Sequence, residues 1–170
     1  MVHRLLSSML TLRPAAASDA SLIVTLIREL ATYEREPDAV VATEESILRD
    51  GFGDRPRFQV LVAEWAGDAV GFALYFFSYS TWRGRPTLYL EDLFVRPTAR
   101  GRGIGIGLMR RLAAEALAHG CERFDWQVLD WNESAIRFYE SLGARVMHGW
   151  LPVRMESEAL RVLAAGGRDA

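Results

Sequence analysis

Two periods run through the hydrophobic positions of this chain, one near 3.6 residues and one of two. Leu22, Ile23, Leu26, Ile27 and Leu30 share one face at helical spacing, with Ser18 or Asp19 as candidate N-cap. Thr43 heads a shorter helix through Ile47 and Leu48, expected to end at Gly51. The run "RFQVLVAEWAGDAVGFALYFFSYS" reads as a hairpin of two β-rich segments meeting at Gly67-Asp68. "MLTLRPA" is a short strand stopped by Pro14, and "TLYLEDLFV" is a strand apolar enough to lie inside a sheet.

A further helix carries Ile104, Leu108, Leu112 and Leu117 on one stripe, and "RFDWQVLD" returns as a strand. Asn132 caps a helix containing Ile136, Tyr139 and Leu142, which closes at Gly143. "ARVMHGWLPVRME" offers one or two last strands, and "SEALRVLAAGG" a closing helix. This order predicts an α/β chain with a mixed sheet covered by helices, in one domain over residues 9–170 behind a loose leader over 1–8.

Composition narrows the function. The net charge is −2, which argues against a nucleic-acid partner. Every basic side chain other than histidine is arginine. The single cysteine, Cys121, cannot form an intramolecular disulfide and fits a reducing, cytoplasmic compartment. No run approaches the roughly 18 apolar residues of a membrane span, so no membrane partner is expected. No spacing of ligating residues suggests a metal.

The chemistry-bearing stretch is "RPTARGRGIGIGLMRRLAAEAL", where glycines alternate as a strand gives way to a helix. The dinucleotide fingerprint G-x-G-x-x-G fails, because Ile106 and Leu108 stand where its third glycine belongs. The nucleotide loop G-x-x-x-x-G-K-S/T fails for want of lysine. What fits is R-x-x-G-x-G, with Arg100, Gly103 and Gly105. Glycines there let backbone N–H groups turn inward on a diphosphate, and the helix start adds its partial positive charge.

That loop, after "LEDLFV" and ahead of "NESAIRFYESLGA", resembles the GNAT acyl-CoA N-acyltransferases. "LIRELATYERE", "TEESILRDGFG" and "VGFALYFFSYSTWRGRPTLYLEDLFV" look like its diamine (spermidine/spermine) acetyltransferase branch. The resemblance implies a mostly antiparallel sheet flanked by helices on both faces and splayed at the acyl-CoA site, usually at a bulge. It implies acetyl-CoA as cofactor and a homodimer, with "WLPVRM" reaching the partner. Leu93, Phe94 and Val95 would pair with the pantetheine arm, and Arg100, Gly101, Arg102, Gly103, Ile104, Gly105 and Ile106 would hold the diphosphate. Asn132, Ala135 and Tyr139 would lie beside the cofactor.

Acetyl transfer needs an amine stripped of its proton, a stabilised oxyanion and a departing thiolate. An alkyl ammonium of pKa ~10.4 is almost wholly protonated at neutral pH, so a carboxylate must help remove the proton. Glu91 is the expected base, with Asp92 beside it on the opposite face of a regular strand, together with Leu90 and Phe94. Tyr139 is the expected acid, assisting the leaving sulfur, and the Val95 N–H the expected oxyanion donor. The resemblance carries Tyr33, Glu34, Trp82, Glu91, Asp92, Asp125, Trp126 and Gln127 into the amine pocket.

Two departures shift the expected amine. Ser80 replaces an acid before "TWRG", and Met147 and His148 replace an acidic pair before Trp150. Less negative charge favours a smaller diamine, or an amino acid with a side-chain amine, over a long polyamine. A protein N-acetyltransferase and a non-catalytic acyl-CoA sensor of the same fold remain the alternatives.

Overall fold

The structure is a computed structural model describing residues 9–167. The leader expected over 1–8 lies outside the described residues. The chain divides into two compact units, one running through Gln127 and one beginning at Val128.

The first unit contains β1 (Leu10–Pro14), α1 (Ala20–Tyr33), α2 (Glu44–Phe52), β2 (Gln59–Trp65) and β3 (Asp68–Ser80), then β4 (Arg85–Val95), α3 (Ile104–Ala118) and β5 (Arg123–Trp126). The strands form one sheet in chain order, antiparallel except for the parallel β4–β5 pair, where α3 makes the crossover. Ile23, Leu26 and Leu30 of α1 and Ile47 of α2 pack against Val60, Phe72, Leu74 and Phe94 on one face. On the other face α3 approaches closely at Gly107, where a Cβ would stand 3.1 Å from Leu10 Cδ2. Ile104, Leu108 and Leu112 of α3 are buried as expected, but Leu117 is 75% exposed. Ala116, four residues after Leu112, continues the buried stripe instead.

Caps follow the sequence in part. The Thr43 hydroxyl accepts the Ser46 N–H, and α2 continues past Gly51 to Phe52. Asp19 stands at the N-cap of α1 without capping it; its carboxylate accepts two hydrogen bonds from Arg13 and one from the Ala16 N–H. The β2–β3 turn falls on Ala66 and Gly67, both at positive φ, one residue earlier than expected.

The second unit holds α4 (Glu133–Ser141) and α5 (Ser157–Ala164). Asn132 Oδ1 accepts the Ala135 N–H, the expected cap, and Gly143 closes α4 at φ 91°. The strands expected over 144–156 are absent; that segment is irregular, with Trp150, Leu151 and Val153 exposed. Alternation marks a segment suited to a sheet, but a strand also needs a neighbour to complete its ladder.

Candidate active site

The site is built on a defect in the sheet. β3 and β4 pair in regular antiparallel register from Gly71↔Val95 to Leu74↔Asp92, and then Tyr75 pairs with Leu90. Glu91 is therefore the extra residue of a β-bulge. The bulge reverses the facing of everything after it. Asp92 stays on the α1 side with Phe94, while Leu90, opposite Tyr75, turns to the α3 side, where Tyr75 feels the charges of Glu115 and Arg111. Leu90 and Asp92 thus do not share a face, contrary to a regular strand.

Pairing of β4 with β5 runs from Thr87↔Arg123 to Leu90↔Trp126 and stops there. Among the described residues no strand joins Glu91 to Val95 on that edge. The sheet opens at the bulge, and the main chain of Leu93, Phe94 and Val95 runs along the opening.

Electrostatics separate the two acids. Glu91 is exposed. Asp92 is largely withdrawn from solvent, and burial, then the charges of Glu91 and Glu34, push its carboxyl up to about 7. Burial also raises Glu34, the residue directly after α1. Burial and the charges of Glu91 and Asp125 raise the Tyr89 phenol, whose ring lies 5.1 Å from that of Phe76. Glu34, Glu91, Asp92, Tyr89 and Asp125 therefore share one electrostatic neighbourhood on the α1 side of the bulge. An acidic patch with an aromatic wall suits an ammonium. Sequence patterning missed Tyr89 and Phe76, because no local signal announces a bulge.

The glycine loop follows β4. Gly101 and Gly103 adopt φ of 76° and 81°, and a Cβ on either would meet open space or only Ile106 Cγ2 at 3.9 Å. Gly103 is the N-cap of α3, whose first backbone bond runs from the Gly107 N–H to the Gly103 carbonyl. The amides of Ile104, Gly105 and Ile106 thus have no intrahelical acceptor. Positive-φ glycines, an unobstructed loop surface and unsatisfied helix-start amides fit a diphosphate.

The end of α1 reaches this loop. The Arg100 guanidinium lies 4.4 Å from the Tyr33 ring centroid, and its Nε–H donates to the Val95 carbonyl at 2.9 Å. Arg102 lies 5.5 Å from the Trp65 ring and donates to the Thr98 carbonyl. Arg96 grips α1 with two hydrogen bonds to Glu29, at 2.7 and 2.8 Å, and donates a third to the Ala69 carbonyl. Sixty-seven residues separate Arg96 from Glu29, so no sequence spacing points to the pair.

Trp82 is 85% exposed in the β3–β4 turn; Arg85, where β4 leaves that turn, precedes Asp92 by seven residues, roughly 20 Å of strand. The chain does not bring its own Trp82 to the bulge. Asp125 pairs with Tyr89 across the ladder and forms an ion pair with Arg123 at 2.7 Å. The Trp126 ring lies 4.9 Å from that of Phe124, inclined at 60°, and Gln127 is exposed at the end of the unit. Asn132, Ala135 and Tyr139 belong to the second unit, where Asn132 is buried as the α4 cap and the Tyr139 ring lies 5.3 Å from Phe138. Among the described residues no group of His, Cys, Asp and Glu could hold a metal ion. No described helix is long and apolar enough to cross a membrane.

Known proteins resemble this chain in sequence and in fold. The pattern of the acetyltransferase (GNAT) family matches residues 23–144. The chain is 44% identical over 164 residues to the thialysine N-epsilon-acetyltransferase of Sus scrofa, covering 90% of this chain and 96% of that one. It is 39% identical over 163 residues to spermidine/spermine N(1)-acetyltransferase-like protein 1 of Homo sapiens, over 90% of this chain and 23% of the longer human protein. An integron cassette protein from the mobile metagenome of V. cholerae has a similar structure, with a TM-score of 0.77 at 29% identity over 92% of this chain and 98% of that one. Family pattern, relatives and sheet agree, and the chain belongs to the acetyltransferase (GNAT) family as an N-acetyltransferase.

Proposed function

We propose that the protein transfers an acetyl group from acetyl-CoA to a primary amine of a small cationic substrate, a diamine, a polyamine or an amino acid with a side-chain amine, by direct attack in a ternary complex. The observation that carries this reading is Asp92, a half-buried carboxyl raised to about 7 at the bulge where the sheet opens. The names of the relatives, one a thialysine and one a spermidine/spermine-type acetyltransferase, support the substrate class.

When bound, the donor supplies an activated thioester carbonyl. The N–H groups of residues 101–106 would hold its diphosphate, and Leu93 to Val95 would align its arm through their backbone. Asp92 takes the ammonium proton, directly or through water. A base near 7 accepts a proton about a thousandfold more readily than an ordinary aspartate, and at neutral pH about half of it remains ionised. Glu91, the base expected from the sequence, instead shares the acidic patch with Glu34 and draws the cation in. The Val95 N–H would stabilise the developing oxyanion. By the family resemblance, Asn132 and Ala135 at the start of α4 would serve the cofactor, and Tyr139 would donate a hydrogen bond to the departing sulfur. The protein acts as a cytoplasmic homodimer, a reading supported by the free, buried Cys121 and by the exposed apolar side chains of Trp150, Leu151 and Val153.

CoA release from acetyl-CoA against a panel of diamines, polyamines and basic amino acids tests the function. Wild type should turn over one class well, Asp92→Asn should lose about 10²–10⁴-fold in kcat, and Glu91→Gln and Tyr139→Phe should lose less. Release with no member of the panel, or unchanged kcat in Asp92→Asn, refutes the reading.

A further inference from the structure

We propose that Tyr33 is a positioning residue for the diphosphate loop, holding Arg100 in place, and is not part of the amine pocket. The inference rests on the acyl-CoA reading of the glycine loop. Tyr33 stands one residue before Glu34, and the family resemblance carries both into the amine pocket. Its ring instead lies under the Arg100 guanidinium at 4.4 Å. An aromatic face that already holds one cation repels a second, so that face is poorly suited to an ammonium.

The contact matters because Arg100 leads directly into the glycines. Gly101 and Gly103 sit at positive φ with no side chain to restrain them, and ordering such residues carries a large entropic penalty. Arg100 is fixed just before them from two sides, by the Tyr33 ring and by the Val95 carbonyl at 2.9 Å. Tyr33 is itself held. It is the last residue of α1, packs against the core cluster, and belongs to a helix tied to the end of β4 by Arg96 and Glu29. The helix stops there in a left-handed turn, with Arg35 at φ 68°. The Glu36 N–H returns to the Ala31 carbonyl and the Arg35 N–H to that of Thr32. The end of the helix bordering the acidic patch thus also anchors the loop that receives the donor.

Titration calorimetry with CoA itself tests this on wild type, Tyr33→Phe, Tyr33→Leu, Arg100→Gln and the Tyr33→Leu/Arg100→Gln double variant, each checked by thermal melting. Tyr33→Leu should weaken CoA about three- to tenfold, Arg100→Gln at least as much, and Tyr33→Phe by less than about twofold because its ring face is kept. In the Arg100→Gln background Tyr33→Leu should change affinity by less than about twofold. Full additivity, or a Tyr33→Leu variant with unchanged CoA affinity and a raised KM for the amine, overturns the proposal. Should Tyr33→Leu misfold, Tyr33→Phe/Arg100→Gln measured against Tyr33→Phe must still show the Arg100 loss, and its absence also overturns it. Failure of wild type to bind CoA refutes the acyl-donor reading itself, a result distinct from either of these.

Discussion

Replacing Asp92 by asparagine should make the protein more stable in mild alkali while disabling it. The carboxyl is raised from 3.8 to about 7 in the folded chain, first by burial and then by Glu91 and Glu34. Every tenfold change in proton affinity is worth about 1.4 kcal/mol, so the ionised group disfavours the fold by about 4 kcal/mol as an upper figure. The sign follows from proton counts. Between about pH 4 and pH 7 the folded chain retains a proton that the unfolded chain has lost. Stability attributable to this group therefore falls as pH rises through that window and levels off above it. Asparagine keeps the shape and removes the charge.

Urea unfolding at pH 5, 6, 7 and 8, followed by tryptophan fluorescence, reads the difference. At pH 5 the variant should lead by less than about 2 kcal/mol, since the unfolded chain has by then lost a proton that the fold keeps, but most of the window still lies ahead. By pH 8 the variant should be more stable by about 2–4 kcal/mol. The same protonation should appear as a limb in wild-type kcat/KM, rising through about pH 7. A stability difference that does not change between pH 5 and 8 would refute the burial argument, whatever the activity of the variant.

Three further outcomes can be checked. Glu34→Gln removes one of the charges that raise Asp92, so the alkaline-rising limb of the pH–rate profile should move toward lower pH, and an unmoved limb would separate the two acids. Arg35→Gly relieves a left-handed backbone that only glycine adopts without strain, and should raise unfolding stability by about 1 kcal/mol where Arg35→Ala gives no gain. Gly103→Ala places a methyl on a residue at φ 81°, so it should distort the loop and weaken CoA at least about tenfold in calorimetry, with the sheet's circular dichroism preserved.

Local signals in the chain were enough for much of the architecture. The R-x-x-G-x-G spacing, the Thr43 and Asn132 caps, the Gly143 stop and the apolar stripes of α1 and α3 each act within a few residues, and each appears where its pattern puts it, except that Ala116 and not Leu117 ends the α3 stripe. What the tertiary structure decided lies at longer range. The bulge at Glu91 depends on the register between two strands, and it alone sends Leu90 to the α3 side, leaves Asp92 on the other and ends the pairing with β5. The raised Asp92 carboxyl depends on burial and on Glu34, brought beside it from the end of a helix more than fifty residues earlier. Tyr33 and Arg100 meet because α1 packs on the sheet and Glu29 and Arg96 tie it to the end of β4. Alternation can name a strand and its two faces, but an inserted residue exchanges those faces, and sequence period carries no record of the insertion.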